Sequence, residues 1–454
     1  MRNINIAQII GESKLNSFHF KIIAMGVFIL VCDGFDMMVY GTVIPSLIEE
    51  WGLTSSTAGY VGSLTLLGSL IGCLVSGTLG DKLGRKKVII FGFIIFNLFT
   101  LLAGFAQGPL DFSIYRFVAG LGLGGMPPLI TALTFEYSPK KSSSMLIGMV
   151  STGFAVGGML VALLGIFVIP NIGWQWMFYL AAIPLLTVPF LIKHLPESLA
   201  FLVVKGEDEK VRKILERANP TYEPIKDDKF QVNLPTSGMT VKKLFEEKRS
   251  ISTLAFWVTS FMVLLVVYGL GTWLPKLMVE AGFPLKSSLI FLFALNIGAV
   301  TGQVGGGWLA DRLGSKRVIV IMFLIGSLSL IFLGFRSPEI IMYLLVAIAG
   351  ACSTGTSTVN NAYLSLFYPT FIRSTGIGWS LGIGRFGAVI GPIFGGFLLD
   401  LSLPTHVNFI GFAFPGVLAA IAICFIQEKY SNFKNPILAR SFESLKHEAK
   451  PKLE

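Results

Sequence analysis

Long apolar segments alternate with short polar ones along nearly the whole chain. A segment of about 20 apolar residues is long enough to cross a bilayer as an α-helix. Such segments occur in two sets of six, at 20–42, 58–79, 88–106, 112–134, 145–169 and 174–192, and then at 253–277, 288–310, 318–335, 340–363, 375–399 and 408–426. The pattern predicts an all-α polytopic membrane protein with about 12 spanning helices in two six-helix halves.

The polar stretch between the two sets divides the chain. We predict an N-terminal half over 1–192, a linker over 193–250, a C-terminal half over 251–427 and a tail over 428–454. Acidic and basic residues alternate in the linker, which we interpret as solvated, with an amphipathic helix at 199–218. The N-terminal residues lack the cleavable pattern of a signal peptide.

Composition and charge agree with this interpretation. The 454 residues are 53% hydrophobic and only 14% charged, whereas soluble chains carry about 25% charged residues. The net charge of +10 does not indicate nucleic acid, because the lysines and arginines crowd short loops on one side of the predicted bundle. By the positive-inside rule that side, with both termini, is cytoplasmic. The expected location is a bacterial inner membrane.

One short motif occurs twice, each time between two spans. GTLGDKLGRKK lies at 77–87 and GWLADRLGSKR at 307–317. We name them the first and second motif. Two copies at equivalent places indicate two homologous halves, which is how secondary transporters are built. The alternative is two unrelated basic loops that merely follow the positive-inside rule.

Few ionisable residues lie deep in the spans, where charge is costly and usually functional. Asp33 and Asp36 share a helix face in the first span, and each disfavours ionisation of the other, so we predict a proton carrier. Arg116 in the fourth span lies at a depth similar to Asp36. A salt bridge or a shared ligand site is predicted there, and a purely structural buried pair is the alternative.

Arg385 lies near the middle of the eleventh span. The C-terminal half offers no obvious acidic residue to neutralise it, and a substrate carboxylate would bind a guanidinium well. The alternative is an arginine bound to backbone carbonyls or to a distant helix. Phe35, Tyr40 and Trp379 are candidates for stacking on a ring, although most aromatic residues here serve packing.

Enzymatic chemistry has little support in the sequence. The four cysteines and four histidines are scattered and form no metal-ligand spacing. No phosphate-binding loop ends in Gly-Lys-Ser/Thr, so ATP-driven pumping is not indicated. We expect no cofactor and no metal.

The two motifs resemble the signature loops of the major facilitator superfamily. Within it, the chain is similar to the aromatic acid:proton symporters, and most of all to benzoate transporters. The resemblance covers nearly the whole chain. Its sharpest marks are Asp33 to Asp36 and Arg116 with Gly120 to Gly125 and Pro127. Further marks are Glu136 to Pro139, Leu195 to Leu202, Tyr368 with Pro369, Arg373 to Gly376, Gly384 to Gly387, and Gly391 with Pro392.

The resemblance implies the major facilitator fold and roles for particular residues. It implies transport roles for Asp33, Asp36, Arg116, Glu136 and Arg385, and gating roles for Asp81 and Asp311. The residues that we assign to gating are Asp81, Arg85, Lys86, Glu136, Asp311, Arg312 and Arg317. Two departures are visible. Ser315 stands where the first motif has Arg85, and Pro127 is followed by a second proline where the family more often has a polar residue.

The sequence therefore predicts a proton-coupled symporter that imports an aromatic monocarboxylate such as benzoate or a hydroxybenzoate. Arg385 would bind the carboxylate, Asp33 and Asp36 would carry the proton, and Arg116 would tune them. The alternatives are a symporter for another small organic anion or a sugar, and a sensor that binds aromatic acids without transporting them. A monomer in the lipid bilayer is expected, by resemblance.

Overall fold

The computed structural model describes residues 3–222, 225, 228–231, 241–335 and 337–431. In the described residues, 12 helices are long and apolar enough to span a membrane, which confirms the predicted fold class. The first six spans are formed by α2 (Ser17–Trp51), α3 (Ser55–Leu83), α4 (Arg85–Ala103), α5 (Pro109–Leu123) with α6 (Met126–Glu136), α7 (Ser143–Ile172), and α8 (Gln175–Tyr179) with α9 (Ala182–Leu185) and α10 (Val188–His194).

The second six spans are single helices, and short elements lie outside the spans. The spans are α13 (Ser250–Glu280), α14 (Leu285–Leu313), α15 (Ser315–Leu333), α16 (Glu339–Phe367), α17 (Thr370–Asp400) and α18 (Thr405–Cys424). The short elements are β1 (Asn3–Asn5), α1 (Ile6–Glu12), α11 (Leu199–Val204), α12 (Asp208–Ala218), β2 (Lys229–Gln231) and 3₁₀ turns at Val241–Leu244 and Glu428–Tyr430.

Two of the first six spans are interrupted, and the sequence explains where. The fourth span breaks between α5 and α6 at Gly124 and Gly125, just before Pro127 and Pro128. The sixth span breaks twice, close to Pro184 and Pro189. Proline lacks a backbone N–H and clashes with the preceding turn, so a helix restarts there rather than continuing.

Packing divides the chain into two compact units. Unit 1 contains the described residues of Met1–Thr236 and Gly271–Asn296, and unit 2 contains those of Ser237–Leu270 and Ile297–Glu454. The end of α13 and the start of α14 thus belong to unit 1. A Cβ at Gly41 of α2 would lie 2.5 Å from the carbonyl oxygen of Gly271, so only glycine permits this approach.

The N-terminal segment and the linker pack together within unit 1. Strand β1 pairs in parallel with β2, and Ile4 lies opposite Phe230. The amide of Asn16 donates to the carbonyls of Arg217 and Ala218 at the end of α12, at 3.0 and 3.1 Å. Val211, like Ile4 and Phe230, is buried. The described part of the linker is therefore packed against the N-terminal segment, and the expectation of a solvated linker was wrong for these residues.

The predicted helix over 199–218 also differs from the structure. It forms two helices, α11 and α12, with Gly206 between them. Gly206 has φ +72, a left-handed conformation that favours glycine and ends α11. The amphipathic pattern was correct for α12, whose Val211 and Leu215 are buried while Glu209, Lys213 and Glu216 are exposed.

Candidate functional site

The acidic turn of the first span is held against α7. A Cβ at Gly34 would lie 2.0 Å from the carbonyl oxygen of Phe154, and one at Gly157 would lie 2.1 Å from that of Val31. Small residues at such contacts let two membrane helices approach closely. The glycine between the two aspartates therefore serves a neighbouring helix and fixes the position of both carboxylates.

Asp36 and Arg116 form a buried salt bridge. Nη1 of Arg116 lies 2.7 Å from Oδ1 of Asp36, and the two side chains are 1% and 3% exposed. Nη2 of Arg116 also donates to the backbone oxygen of Asp36 at 2.9 Å, and the hydroxyl of Thr100 donates to Oδ1 of Asp36. Asp33 is equally buried, one helical turn earlier. The structure thus brings together two acidic residues and one basic residue that the sequence singled out.

Aromatic rings pack around this ion pair. The guanidinium of Arg116 lies 5.8 Å from the centre of the Phe178 ring. Phe112 contacts Phe178 at 5.3 Å and Tyr40 at 6.0 Å between ring centres. Tyr40 is buried and its hydroxyl donates to the carbonyl of Ala58 at 2.6 Å. Tyr40 therefore has a structural contact, and the rings exclude water from the charges.

The remaining predicted substrate residues lie on two helices. Phe35 is half-buried on α2, beside Asp36. Arg385 is half-buried on α17 of unit 2. Trp379, on the same helix, stacks on Trp257 with ring centres 5.8 Å apart and planes at 24°. The acidic residues and Arg385 thus belong to different units.

The first motif is bound to the segment that follows the sixth span. Nη1 of Arg85 lies 3.0 Å from Oε2 of Glu136. Oε1 of Glu136 accepts from the backbone N–H of Ala200 at 2.7 Å and from the hydroxyl of Ser198 at 3.1 Å. The backbone N–H of Lys86 donates to Oε1 of Glu197 at 3.0 Å. We name these contacts the first-motif network.

A buried tyrosine completes the first-motif network. The hydroxyl of Tyr137 donates to the carbonyl of Glu197 at 2.5 Å. Burial raises the pKa of Tyr137 well above its usual value, so the hydroxyl keeps its proton and remains a donor. Asp81 of the same motif is exposed at the end of α3 and takes no part in the network.

The second motif makes different contacts. Nζ of Lys316 donates to the carbonyls of Cys424 and Ile426 beyond the last span, at 2.9 and 2.8 Å. Arg312 lies over the ring of Trp308 at 3.9 Å. Asp311 and Arg317 are exposed, and with Ser315, Lys316, Tyr363 and Glu428 they line an open cavity beside the loop.

Sequence reasoning did not assign Thr100, Tyr137, Glu197 or Ser198 to these sites. Thr100 was one hydroxyl in an apolar span, a pattern typical of a side chain bonded to its own helix. Glu197 and Ser198 were noted only as marks of resemblance, because no local pattern shows that a segment after one span returns to a loop between two others. Glu197 is directly followed by Ser198, the N-cap of α11. This pair of hydrogen-bonding side chains was the sequence signal that could have identified the segment.

The described residues contain no group of three or more histidine, cysteine, aspartate or glutamate side chains that could hold a metal ion. Two stretches match enzyme fingerprints by chance: 120–125 covers the end of α5 and the break before α6, and 378–382 lies inside α17. Neither has the strand that such a fingerprint requires in front of it.

Comparison with known proteins extends these findings. The family model of the Major Facilitator Superfamily matches residues 26–307 and 287–452. The benzoate transport protein of Acinetobacter baylyi is 44% identical over 96% of this chain and 95% of its own length. The 4-hydroxybenzoate transporter of Pseudomonas putida is 31% identical over 93% of this chain and 95% of its own length.

A solved structure supports the fold. A D-xylose–proton symporter superposes with a TM-score of 0.73 over 91% of this chain and 99% of that one, at 18% sequence identity. At this identity the likeness concerns the fold alone. It agrees with the 12 spans of the described residues.

Proposed function

Because the chain belongs to the major facilitator superfamily, we propose that it is a proton-coupled symporter that imports an aromatic monocarboxylate of the benzoate or hydroxybenzoate type. The observation that carries the substrate class is the 44% identity to a benzoate transport protein over 96% of the chain. The relatives bear the names of transporters, and the fold is that of a transporter rather than an enzyme.

Asp33 and Asp36 carry the coupled proton in this proposal. The two carboxyls lie one helical turn apart on α2 and are both buried, and buried ionisable residues in membrane spans usually mark ion or proton pathways. Oδ1 of Asp36 is committed to Arg116 and Thr100, whereas its Oδ2 has no hydrogen-bond partner among the described residues. In this proposal the coupled proton binds at that oxygen, next to the Arg116 ion pair.

Arg385 binds the substrate carboxylate, with a planar guanidinium that matches a carboxylate in two parallel hydrogen bonds. One anion carried with one proton moves no net charge, so transport would follow the pH gradient alone. Each additional proton would add about 2.3 kcal/mol per 100 mV of membrane potential. In this proposal the proton gradient drives transport, and no cofactor takes part.

The first motif acts in gating. Its network joins the loop between the second and third spans to the end of the fourth span and to the segment after the sixth. Exposed Asp81, Asp311, Arg312 and Arg317 are available for contacts that form in another state of the transport cycle. The protein works as a monomer in a bacterial inner membrane, with both termini in the cytoplasm.

The test is uptake of labelled benzoate into proteoliposomes with acid outside, with and without a protonophore. Because benzoic acid crosses bilayers by itself, protein-free vesicles run alongside. We expect protonophore-sensitive accumulation that Asp36→Asn and Arg385→Ala abolish. Asp111→Asn, which removes a carboxylate near the start of α5, should leave accumulation in place.

Full accumulation by Asp36→Asn would overturn the proton-coupling role. If the wild-type protein shows neither accumulation nor counterflow, the remaining functions are a sensor of aromatic acids and a transporter of another substrate. The same vesicles would then be tested with non-aromatic acids and sugars.

A further inference from the structure

A group of polar side chains is buried between three helices of unit 2. Ser260 of α13, Asn360 of α16 and Ser380 of α17 are 6%, 2% and 0% exposed. The amide of Asn360 donates to the hydroxyl of Ser260 at 3.0 Å. We name these residues, with Trp257 of α13, the polar cluster.

Packing places Ser380 beside the other members. Its neighbour Trp379 stacks on Trp257, with ring centres 5.8 Å apart. One helical turn later, a Cβ at Gly384 would lie 3.1 Å from the carbonyl oxygen of Ser260. The stretch of α17 from Trp379 to Gly384 therefore runs along α13 between Trp257 and Ser260.

Three atoms of the polar cluster have no hydrogen-bond partner in the described part of the chain: Oδ1 of Asn360, Oγ of Ser380 and Nε1 of Trp257. Native proteins leave few buried polar atoms unsatisfied, and each one is costly. Three of them in one place indicate that a polar group from outside the chain completes the hydrogen bonds.

The donors and acceptors identify the chemistry of that group. Oδ1 of Asn360 can only accept, Nε1 of Trp257 can only donate, and the hydroxyl of Ser380 can do both. A hydroxyl donates and accepts at once, so it satisfies all three types of site. A carboxylate only accepts, and would leave Asn360 unsatisfied.

We propose that the polar cluster is a subsite for the ring hydroxyl of a hydroxylated aromatic acid. The assignment rests on the function proposed above, in which Arg385 binds the carboxylate. Arg385 lies five residues beyond Ser380, a rise of about 7.5 Å along the helix. The Trp257 and Trp379 rings provide aromatic surface for the substrate ring.

The test is binding of benzoate, 3-hydroxybenzoate and 4-hydroxybenzoate to the purified full-length protein in detergent, measured by calorimetry. We expect at least one hydroxybenzoate to bind about ten-fold more tightly than benzoate, since one extra hydrogen bond has that effect. Ser380→Ala and Asn360→Leu should each remove most of this difference while benzoate binds as before.

Thr356→Ala is the matched control. Thr356 is buried on α16, one turn from Asn360, and its hydroxyl already donates to the carbonyl of Cys352. This variant should keep the wild-type preference. Ser380→Ala removes a single buried oxygen and is the variant to rely on if Asn360→Leu does not fold.

Other outcomes separate the two proposals. If the wild type binds benzoate as tightly as both hydroxybenzoates, or if Ser380→Ala keeps the preference, the subsite is wrong and the polar cluster holds only water, while the aromatic-acid function stands. If the wild type binds none of the three acids, the subsite and the proposed function both fail.

Discussion

The loops of the two motifs share a glycine with positive φ at the same position, but different contacts stabilise them. Gly84 and Gly314 both adopt positive φ, +97 and +87, at the start of the following span. In unit 1 the loop is bound by carboxylates, with Arg85 3.0 Å from Glu136. In unit 2, Lys316 donates to backbone carbonyls at 2.9 and 2.8 Å. The repeated glycines thus set the shape of the loop, and the side chains around it set its strength.

The same contrast extends into the spans. Unit 1 holds the buried Asp36–Arg116 ion pair, whereas unit 2 has the neutral hydrogen bond between Asn360 and Ser260. Buried ions depend on their partners more strongly than neutral groups do. Unit 1 should therefore be the more sensitive to the loss of one polar side chain.

The largest effect is expected from Arg116→Ala. Removing the guanidinium leaves Asp36 buried without its cation, which typically costs about 3–5 kcal/mol. Thermal unfolding in detergent should show a clear loss of stability, and uptake should disappear. The double variant Asp36→Asn with Arg116→Gln removes both charges and should recover much of the stability without recovering uptake. Recovery of uptake as well would mean that the pair is only structural.

Glu136→Gln should have the next largest effect. Glu136 receives bonds from Arg85, Ser198 and Ala200, and a hydrogen bond to a charged group is worth about 1.5–3 kcal/mol. We expect a loss of about 2 kcal/mol in thermal or denaturant unfolding. Glu339→Gln, at an exposed carboxylate that accepts from Tyr343, is the control and should change stability by less than about 0.5 kcal/mol.

A smaller effect is expected at the second motif. Lys316→Met removes two bonds to carbonyls that remain close to solvent, so the loss should be about 1 kcal/mol. Arg317→Met, at an exposed neighbour in the same loop, should be close to neutral. A loss at Lys316 as large as that at Glu136 would contradict the contrast between the two loops.

Much of this arrangement could be predicted from the sequence, because the bilayer imposes a simple rule on apolar length. All 12 spans were found at their places in the described residues. The approach of Asp36 to Arg116 followed from counting residues from the ends of two antiparallel spans. Depth in a membrane is one coordinate that a sequence supplies directly.

The rest depends on contacts between segments far apart in the chain. Glu197 lies 111 residues from Lys86, whose N–H it accepts, and nothing local to either residue indicates the other. The pairing of β1 with β2 joins the N-terminal segment to the linker, and neither three-residue strand has a pattern of its own. The role of Thr100 depends on which way its helix faces, and that direction is set by packing.

The smallest effect is expected from Ser315→Arg, which gives the second motif the arginine of the first. In unit 1, Arg85 pairs with Glu136, which directly precedes the buried Tyr137. In unit 2, the buried Tyr368 is preceded by Phe367, which has no carboxylate to pair with an arginine. Among the described residues that line the open cavity beside the loop, the acidic ones are Asp311 and Glu428. Ion pairs between a new guanidinium and such exposed carboxylates contribute less than about 1 kcal/mol. Stability in thermal unfolding should therefore hardly change, while the reverse variant, Arg85→Ser, leaves Glu136 without its cation and should destabilise unit 1. A gain from Ser315→Arg as large as the loss from Arg85→Ser would show that the arginine itself, and not its buried partner, makes the first loop strong.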